Sequence, residues 1–470
     1  MTSFTLEEIR AVVNGRLLVG NPKITIRIAA GKYRRSMILG GVAFLNKHIN
    51  DEDKLIFSFN QSNVACALIP YSTQLKQVKW AEAGIAVIQV KNLRLAFLDL
   101  AGAFRRKFNI PFVQVVGSAG KTTTKEMIGA VLSEGLNPLV GYKNWNLPEL
   151  IAHSCFHLNI KHQSAVFETG MLQPGDIRTS SRLIRPDIAV VTCLQRAHMV
   201  RLGSMAKIIS VKAEMLQYLK ENGTLIINGE DSNCSKLPLS KYRGKVLTYG
   251  FSAEHDLWAS DIERDGFKTN FRANGKNVSM QCVINTIGHY NVGNALAAIM
   301  VGKEVGLSDN AITQGLAKFQ PVEGRLKIHK GINNTIIIND NFNANPDSTS
   351  LLLKELCMLA AEYQVVLVLG DMERPSESIR DYAKRVHYTT GQQLAGIDFK
   401  YVIAIGKWAK EYENGALSAG FPTGKIEHFP TVNQAEPSFR KLLRPGVVVV
   451  LKASRYSPIS KLMKNTVCTT

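Results

Sequence analysis

Short runs of apolar residues alternate along the chain with longer segments in which apolar and polar residues are mixed. Residues 42–45, 64–69 and 85–90 form such runs and predict strands, and residues 93–108 follow the helical period before Pro111 ends it. From position 112 the alternation becomes regular, and the next predicted strands are 113–116, 164–167, 188–193, 224–227 and 245–249. Such alternation of strands and helices predicts a mostly parallel sheet covered by helices.

Two predicted helices, at 291–305 and just before Pro321, precede a last group of apolar runs. The strands predicted from these runs are 335–339, 365–369, 401–405 and 447–451. A chain of 470 residues is too long for a single core, and its length favours about three domains. We therefore predict an α/β fold with three domains: a small N-terminal α/β domain at 1–111, a central P-loop domain with a parallel sheet at 112–321, and a C-terminal Rossmann-like domain at 322–470.

A glycine-rich turn directly follows the first predicted strand of the central domain. Its form is Gly-x-x-Gly-Lys-Thr, shorter than the strict P-loop pattern, which requires glycine where this chain has Val115. In such loops the backbone N–H groups and the helix N-terminus bind phosphate, the lysine reaches the terminal phosphates, and the threonine hydroxyl holds Mg²⁺. The residues expected to bind nucleotide are Gly117, Ser118, Gly120, Lys121, Thr122 and Thr123. A glycine-rich turn without a ligand is the alternative.

Composition narrows the class of protein. The chain has no apolar run long enough to span a bilayer, and its polar first ten residues do not resemble a signal peptide, so we expect a cytoplasmic protein with no membrane partner. The seven cysteines are spaced singly and predict neither a disulfide framework nor a cysteine metal cluster.

The chain is strongly basic, with a formal net charge of +19. Such an excess suits either polyanionic substrates or nucleic acid. Interleaved aromatic residues and a known nucleic-acid-binding motif are not found in the sequence, so nucleic acid is not the favoured partner. A basic nucleic-acid-binding ATPase nevertheless stays open as one alternative.

Three polar residues follow predicted strands of the central domain. Glu168 comes directly after the strand 164–167, at the sheet edge where α/β proteins bind ligands, and a carboxylate beside a phosphate loop suits Mg²⁺. A solvated glutamate at a strand end is the other interpretation. His198 follows the strand 188–193, and Lys212 lies on a predicted helix at 206–219. Taken alone, these two residues are typical of ordinary surface, core or helix positions.

Considered together, these motifs and those that follow them resemble the Mur ligase family over residues 112–455. The similar segments are 117–127, Glu168-Thr169-Gly170, Ala197-His198, Lys212-Ala213-Glu214, 288–295, Glu323-Gly324-Arg325-Leu326, 339–348, 369–372, His387 and 451–455. The last four are most similar to the branch that adds D-alanyl-D-alanine to a UDP-muramoyl tripeptide. Motifs this long and in this order are much more specific than a phosphate loop alone.

This resemblance implies an ATP-dependent ligase. ATP would phosphorylate a carboxylate, and an amine would attack the acyl phosphate to give an amide, ADP and phosphate. The implied partners are a small-molecule carboxylate, with a UDP-sugar peptide as one candidate, and an amine or dipeptide. The cofactors are ATP and Mg²⁺ at two sites, with carbamylation of Lys212 turning it into an anionic metal ligand.

The resemblance also implies individual roles. Catalysis would involve Lys121, Lys212, His198 and Glu168. Thr122 and Glu168 would hold one Mg²⁺, and His198 and Lys212 the other. Asn294 would contact adenine, Arg325 the phosphates, and Asp340 the ribose or the hinge between domains. Substrate contacts are expected from Asn144, Asn146, Asn343, Asn345, Lys452, Ser454 and Arg455.

Several positions depart from the family pattern. Ala119 stands where the phosphate loop usually has asparagine, and the substrate segment 142–148 is shortened. Asn339, Phe342 and Ala453 replace the usual aspartate, tyrosine and glycine. The N-terminal motifs that bind the UDP-sugar are not found between residues 24 and 69. Two further alternatives follow: a ligase diverted to another carboxylate in specialised metabolism or cofactor assembly, and a catalytically silent nucleotide-binding homologue.

Overall fold

The computed structural model describes residues 2–29, 37–39, 41–45, 51–195, 203–372, 377–464 and 466–468. The described strands form one small sheet of two strands and three large sheets. The large sheets follow one another along the chain. The predicted α/β fold is confirmed. The predicted domain limits, at 111/112 and 321/322, stay predictions.

The first large sheet is mixed and has five strands. Across the sheet these strands are Arg16–Val19, Ala86–Val90, Cys66–Pro70, Val42–Phe44 and Met37–Leu39. A separate antiparallel pair joins Ser3–Thr5 to Thr25–Arg27. The helices of this region are Leu6–Val12, Glu52–Gln61, Gln77–Glu82 and Leu93–Arg106.

The central sheet has nine strands, and the phosphate loop follows the third strand from one edge. Their order across the sheet is Val278–Ile284, Lys268–Gly275, Leu257–Asp265, Lys245–Gly250, Thr224–Asn228, Ile188–Val191, Phe112–Val116, Ser164–Thr169 and Pro138–Val140. Its α-helices are Lys121–Leu132, Pro148–Cys155, Asp176–Ile184, Met205–Ala213, His289–Glu304 and Asp309–Lys318, and its 3-10 turns are Glu214–Gln217, Cys234–Lys236 and Leu239–Lys241. All strand pairings from Pro138–Val140 through Leu257–Asp265 are parallel, as predicted for this region.

The third large sheet has six strands, of which the first is an antiparallel edge. The order is Lys327–Lys330, Ile336–Asp340, Val447–Lys452, Gln364–Gly370, Tyr401–Ile405 and Ile426–Phe429. Its helices are Pro346–Glu362, Arg380–Gln392, Lys410–Ser418 and Val432–Leu442, with 3-10 turns at Ile332–Asn334, Glu377–Ile379, Gln393–Gly396, Thr423–Lys425 and Pro458–Met463.

Helix Leu93–Arg106 joins the first sheet to the central region. Phe104 packs edge-on against Phe156, with ring centroids 5.2 Å apart, in a core shared by both regions. The buried guanidinium of Arg105 lies 3.7 Å above the Phe112 ring, and its Nε donates to the carbonyl of Ile184 at 2.5 Å. Because Phe112 begins the strand that leads to the phosphate loop, this contact fixes the base of that strand.

Three of the differences from the sequence predictions concern the central region. Glu168 lies inside its strand, Ser164–Thr169, and does not follow it. The helix expected at 206–219 ends at Ala213 and continues as a 3-10 turn. The antiparallel strands between 257 and 284 were not predicted, because several of their residues are exposed and leave no continuous apolar run. No described helix is both long and apolar enough to cross a bilayer.

Candidate active site

The phosphate loop runs from the buried strand Phe112–Val116 into helix Lys121–Leu132. Gly120, the residue before this helix, has φ +79°, a conformation that favours glycine, and a Cβ there would lie 2.7 Å from Asn294 Oδ1. A Cβ at Gly117 would lie only 1.9 Å from Thr192 Oγ1. Both predicted glycines are therefore required by the local packing.

The segment after strand Ile188–Val191 holds the loop in place. Thr192 Oγ1 donates to the carbonyl of Ala119 at 2.5 Å, and the backbone N–H of Ala119 faces Cys193 Sγ at 3.3 Å. Ser118 Oγ donates to Gln195 O and accepts from Gln195 N, both at 2.9 Å. Burial raises the pKa of the Cys193 thiol. Sequence reasoning missed Thr192 and Cys193, since their contact with Ala119 depends on two strands being neighbours.

Lys121 and Lys212 meet at one acceptor. Lys121 Nζ donates to the carbonyl oxygen of Gly117 at 2.9 Å, and Lys212 Nζ donates to the same oxygen at 2.7 Å. Lys212 is only 2% exposed. Burial, followed by the charge of Lys121, lowers the pKa of Lys212 to about 7. Burial also lowers the pKa of Lys121. A substantial fraction of Lys212 is therefore a neutral amine at neutral pH.

Glu168 presents a carboxylate oxygen at the phosphate loop. The side chain is 1% exposed, and Asn146 Nδ2 donates to its Oε1 at 2.9 Å. Within the described part of the chain, no partner reaches Glu168 Oε2. A buried carboxylate oxygen requires a hydrogen-bond donor or a cation. Together with the hydroxyl of Thr122, this oxygen fits Mg²⁺, which takes a few oxygen ligands from protein and the rest from phosphates and water.

The second predicted metal site is only partly visible. Lys212 lies beside the phosphate loop, whereas His198 falls outside the described residues. The described ranges contain no cluster of three or more histidine, cysteine, aspartate or glutamate side chains arranged to hold a metal. A site built from Thr122, Glu168 and nucleotide phosphates is consistent with this, because most of its ligands would come from the nucleotide and water.

Asn294, predicted to contact adenine, lies beside the phosphate-loop helix. Its Oδ1 accepts from Thr124 Oγ1 at 3.0 Å, and its Nδ2 donates to Asn291 Oδ1 at 3.1 Å. Asn291 in turn donates to the carbonyl of Ile287 at 2.7 Å. Asn294 lines a cavity next to the loop, but its amide also connects helix His289–Glu304 to the phosphate-loop helix. Its contact with adenine stays a prediction.

Arg325, Asp340 and Lys452 lie where the third sheet faces the phosphate loop. The Arg325 guanidinium lies 4.7 Å from the Phe342 ring centroid, and burial lowers its pKa. Lys452 Nζ donates to Asp340 Oδ2 at 2.6 Å in a buried ion pair. Lys452 was predicted to contact substrate, and Asp340 the ribose or the hinge. The structure pairs them with each other, and both predicted roles stay predictions.

Two cavities meet at the phosphate loop. One, of about 440 Å³, is lined by Asn294, Asp340 and Lys452 and by the rings of Tyr249 and Phe251. The other, of about 420 Å³, contains Lys121, Thr122 and Glu168. Both cavities are lined by Ala119, Gly120, Arg325 and Asn343. One cavity therefore lies on each side of the phosphate loop.

Six of the seven predicted substrate residues line the second cavity: Asn144, Asn146, Asn343, Asn345, Ser454 and Arg455. Ser454 Oγ is buried, and no atom of the described residues hydrogen-bonds to it. Asn345 also caps helix Pro346–Glu362 by accepting from Ser348 N at 2.8 Å. The structure brings these residues together beside Glu168, and their contacts with substrate stay predictions.

The cavity of about 440 Å³, which we call the base-side cavity because Asn294 is predicted to contact adenine there, also contains Phe251, which the sequence reasoning did not propose. Phe251 and His289 lie at the same cavity, with ring centroids 5.8 Å apart. His289 belongs to a motif noted in the sequence, whereas Phe251 follows a strand end without any recognisable pattern. A larger groove of about 840 Å³ runs along helix Met205–Ala213, and it includes no residue of the phosphate loop. The chemistry is therefore expected at the two smaller cavities.

Comparison with known proteins identifies the family. The Mur ligase middle domain matches residues 115–302, and the Mur ligase glutamate ligase domain matches residues 324–455. The UDP-N-acetylmuramoyl-tripeptide–D-alanyl-D-alanine ligase of Bacillus subtilis is 30% identical over 380 residues, covering 81% of this chain and 81% of its own length. The ligase of the same name from Escherichia coli is 30% identical over 383 residues, covering 80% of this chain and 81% of its own.

Solved structures share the fold. A crystal structure of MurF from Acinetobacter baumannii has a TM-score of 0.82 at 23% identity and covers 98% of both chains. MurF ligase from Thermotoga maritima in complex with ADP has a TM-score of 0.75 at 20% identity, covering 90% of this chain and 93% of its own. With two domain models matching in order and relatives aligned over most of their length, the chain belongs to the Mur ligase family.

Proposed function

We propose that this protein joins the carboxylate of a UDP-N-acetylmuramoyl tripeptide to the amine of D-alanyl-D-alanine, with ATP converted to ADP and phosphate. The observation that carries the proposal is the junction of the two cavities at Ala119 and Gly120, in a phosphate loop that two lysines and a buried carboxylate surround. The name shared by the two bacterial relatives supports this substrate pair, and the diverted-ligase alternative is not favoured.

Each side of the loop has a distinct task in this proposal. The base-side cavity binds the nucleoside of ATP, and Lys121 with the loop N–H groups binds the terminal phosphates. The second cavity holds the carboxylate substrate beside Glu168 and the amine beside Ser454 and Arg455. Acyl transfer of this kind depends mainly on positioning and on neutralising phosphate charge. Thr122 and Glu168 would hold Mg²⁺, which would supply part of that neutralisation.

The third sheet completes the site. Arg325 reaches both cavities, and its guanidinium is held on the ring of Phe342. The acyl phosphate would form in a cavity whose wall includes Asn343 and Ser454, which follow the strands Ile336–Asp340 and Val447–Lys452 of the third sheet. Closure of this wall over the central sheet would exclude water from the acyl phosphate, which otherwise hydrolyses.

Carbamylation of Lys212 is part of the proposal. The neutral amine would attack carbon dioxide, forming an N–C bond and releasing one proton. The carbamate would carry a negative charge beside Lys121, replacing the repulsion between two cations with an attraction. The support is the low pKa of Lys212, about 7, together with its burial at the loop.

The direct test is phosphate release from MgATP with UDP-N-acetylmuramoyl tripeptide, with and without D-alanyl-D-alanine, followed by mass analysis of products. We expect release that requires both substrates, with the corresponding amide as product. The matched control is Lys121→Met, which retains the helix but removes the phosphate-binding cation and should be inactive. ATP binding without turnover of these substrates would contradict the proposed substrate pair and favour a ligase for another carboxylate.

A further inference from the structure

Lys125 lies one helical turn beyond Lys121 and has no part in the mechanism above. Its side chain is fully buried, at 0% exposed. Its ammonium donates to the carbonyl of Gly141 at 2.5 Å and to the carbonyl of Lys143, and it pairs with Glu126 Oε1 at 2.8 Å. Two of the three ammonium donors make hydrogen bonds to backbone carbonyls, and the ion pair with Glu126 balances the charge. A buried cation bonded in this way holds its partners in a defined geometry.

The carbonyls that Lys125 binds belong to residues 141–147, which we call the asparagine loop. At its start, Gly141 N donates to Val166 O at 2.8 Å, and at its end Gly170 N donates to Asn146 O at 2.7 Å. Between these points Lys143 has φ +45°, a conformation that costs free energy for a non-glycine residue. Lys125 binds the middle of the loop at this strained residue.

The asparagine loop determines how Glu168 is oriented. Asn146 Nδ2 donates to Glu168 Oε1 at 2.9 Å. Because Oε1 is held by this bond, Oε2 is the oxygen left for a cation. Asn144 and Asn146 line the same cavity as Glu168. Displacement of the loop would therefore turn the carboxylate as well as move two asparagines.

The phosphate-loop helix packs close enough to transmit this restraint. Gly129 lies on the same helix face as Lys125, four residues later, and a Cβ there would lie 2.7 Å from Val140 Cγ2. Val140 ends strand Pro138–Val140, directly before the asparagine loop. Lys125 thus emerges from a helix face that is already in contact with the base of the loop.

We propose that Lys125 is a positioning residue that connects the phosphate-loop helix to the asparagine loop and so holds the Glu168 carboxylate toward the metal of the nucleotide. The inference rests on the nucleotide-binding part of the proposed function and not on the identity of the carboxylate or the amine. Residues that orient a metal ligand typically change metal affinity by about 10- to 100-fold when they are removed.

The test is Lys125→Met, which fills a similar volume without any donor. Binding of Mn²⁺, used as a probe for Mg²⁺, is measured from the electron paramagnetic resonance signal of the free ion in the presence of a non-hydrolysable ATP analogue. We expect Mn²⁺ to bind about tenfold more weakly. Binding of the same analogue without a divalent ion, measured by calorimetry, should change less than about twofold, because the phosphate loop itself is intact.

Two further variants separate positioning from general destabilisation. Lys125→Arg keeps a charged donor and should recover most of the Mn²⁺ affinity. Lys303→Met removes a lysine from another helix of the central region, where it bonds to Asp309 at 2.8 Å, and should bind Mn²⁺ like the wild type. If Lys303→Met and Lys125→Met weakened Mn²⁺ binding equally, the proposal would be overturned.

Asn146→Ala provides a second route that does not depend on the folding of Lys125→Met. It should weaken Mn²⁺ binding to a similar degree. The double variant should bind Mn²⁺ as tightly as the single variant with the lower affinity, because both substitutions act on Glu168 through one loop. Wild-type affinity in Asn146→Ala, or additive losses in the double variant, would overturn the proposal. The assay contains neither the carboxylate substrate nor the amine substrate, so failure of the proposed substrate pair leaves its result unaffected.

Discussion

The ammonium groups of Lys121 and Lys212 donate to the same carbonyl oxygen, that of Gly117, at 2.9 and 2.7 Å. Lys121 begins the phosphate-loop helix, whereas Lys212 lies near the end of helix Met205–Ala213. Two cations at one acceptor repel each other, and this repulsion adds to the effect of burial in lowering the pKa of Lys212. The pKa of about 7 therefore places the protonation of Lys212 near neutral pH.

Removal of the Lys212 charge should stabilise the fold at neutral and lower pH. The pKa of Lys212 falls from 10.5 to about 7 on folding, so between these values the unfolded chain binds more protons and stability rises with pH. Below pH 7 the burial penalty is present in full. We expect Lys212→Met to raise Tm by several degrees at pH 6, with the gain shrinking toward pH 10.

Differential scanning calorimetry in buffer free of carbon dioxide checks this expectation. Lys303→Met, which removes a lysine bonded to Asp309 at the surface, serves as the control and should show no comparable pH trend. A gain in Tm for Lys212→Met that stays constant from pH 6 to pH 10 would contradict the lowered pKa of Lys212.

Bicarbonate should increase the activity of the wild type if carbamylation of Lys212 is incomplete. Neither Lys212→Ala nor Lys212→Arg should respond, since the first has no amine and the second remains protonated. We expect both variants to lose at least about 100-fold in kcat. The measurement is phosphate release across a bicarbonate series at fixed pH. Full turnover by Lys212→Arg would exclude the carbamate.

Loss of the Glu168 carboxylate should raise the Mg²⁺ concentration that turnover requires. Glu168→Gln retains the acceptor for Asn146 but removes the negative charge, so the Mg²⁺ concentration for half-maximal rate should rise about tenfold or more, with a lower kcat. Turnover measured across a Mg²⁺ series checks this. An unchanged Mg²⁺ dependence would show that Glu168 is not a ligand.

Substitution of Gly120 should impair nucleotide binding through sterics. In Gly120→Ala the new Cβ meets Asn294 Oδ1 at 2.7 Å, and the residue is held at φ +79°, so the loop must shift. We expect the Kd for ATP to rise about tenfold or more, together with a loss of about 1–2 kcal/mol in the free energy of unfolding.

Gly306→Ala is the matched control for that substitution. Gly306 has φ +84°, but a Cβ added there would meet no described atom within 4 Å, so its substitution imposes the same backbone strain without a clash. It should lose stability and bind ATP normally. Equal ATP affinities for the two variants, measured by calorimetry, would show that the contact with Asn294 does not shape the loop.

Local patterns were sufficient to predict much of the fold, including the glycine-rich turn and the helix that follows it. The strand Phe112–Val116, the glycines of the loop and the helix that begins at Lys121 are neighbours in sequence, so their arrangement follows from backbone geometry and hydrophobic periodicity alone. The strands between 257 and 284 were missed, because their half-exposed faces weaken the apolar signal. His198 lies outside the described residues, and its predicted role as a metal ligand stays a prediction.

The sequence by itself determined the α/β class, the phosphate loop and, through the order of its motifs, the similarity to the ligase family, because each depends on residues close together in the chain or on their order. Only the tertiary structure decided that Lys212 shares the carbonyl of Gly117 with Lys121, that Cys193 faces the backbone of Ala119, and that Lys452 pairs with Asp340. These contacts join residues from different strands and helices, and their distances depend on strand order and helix packing, which no local pattern encodes.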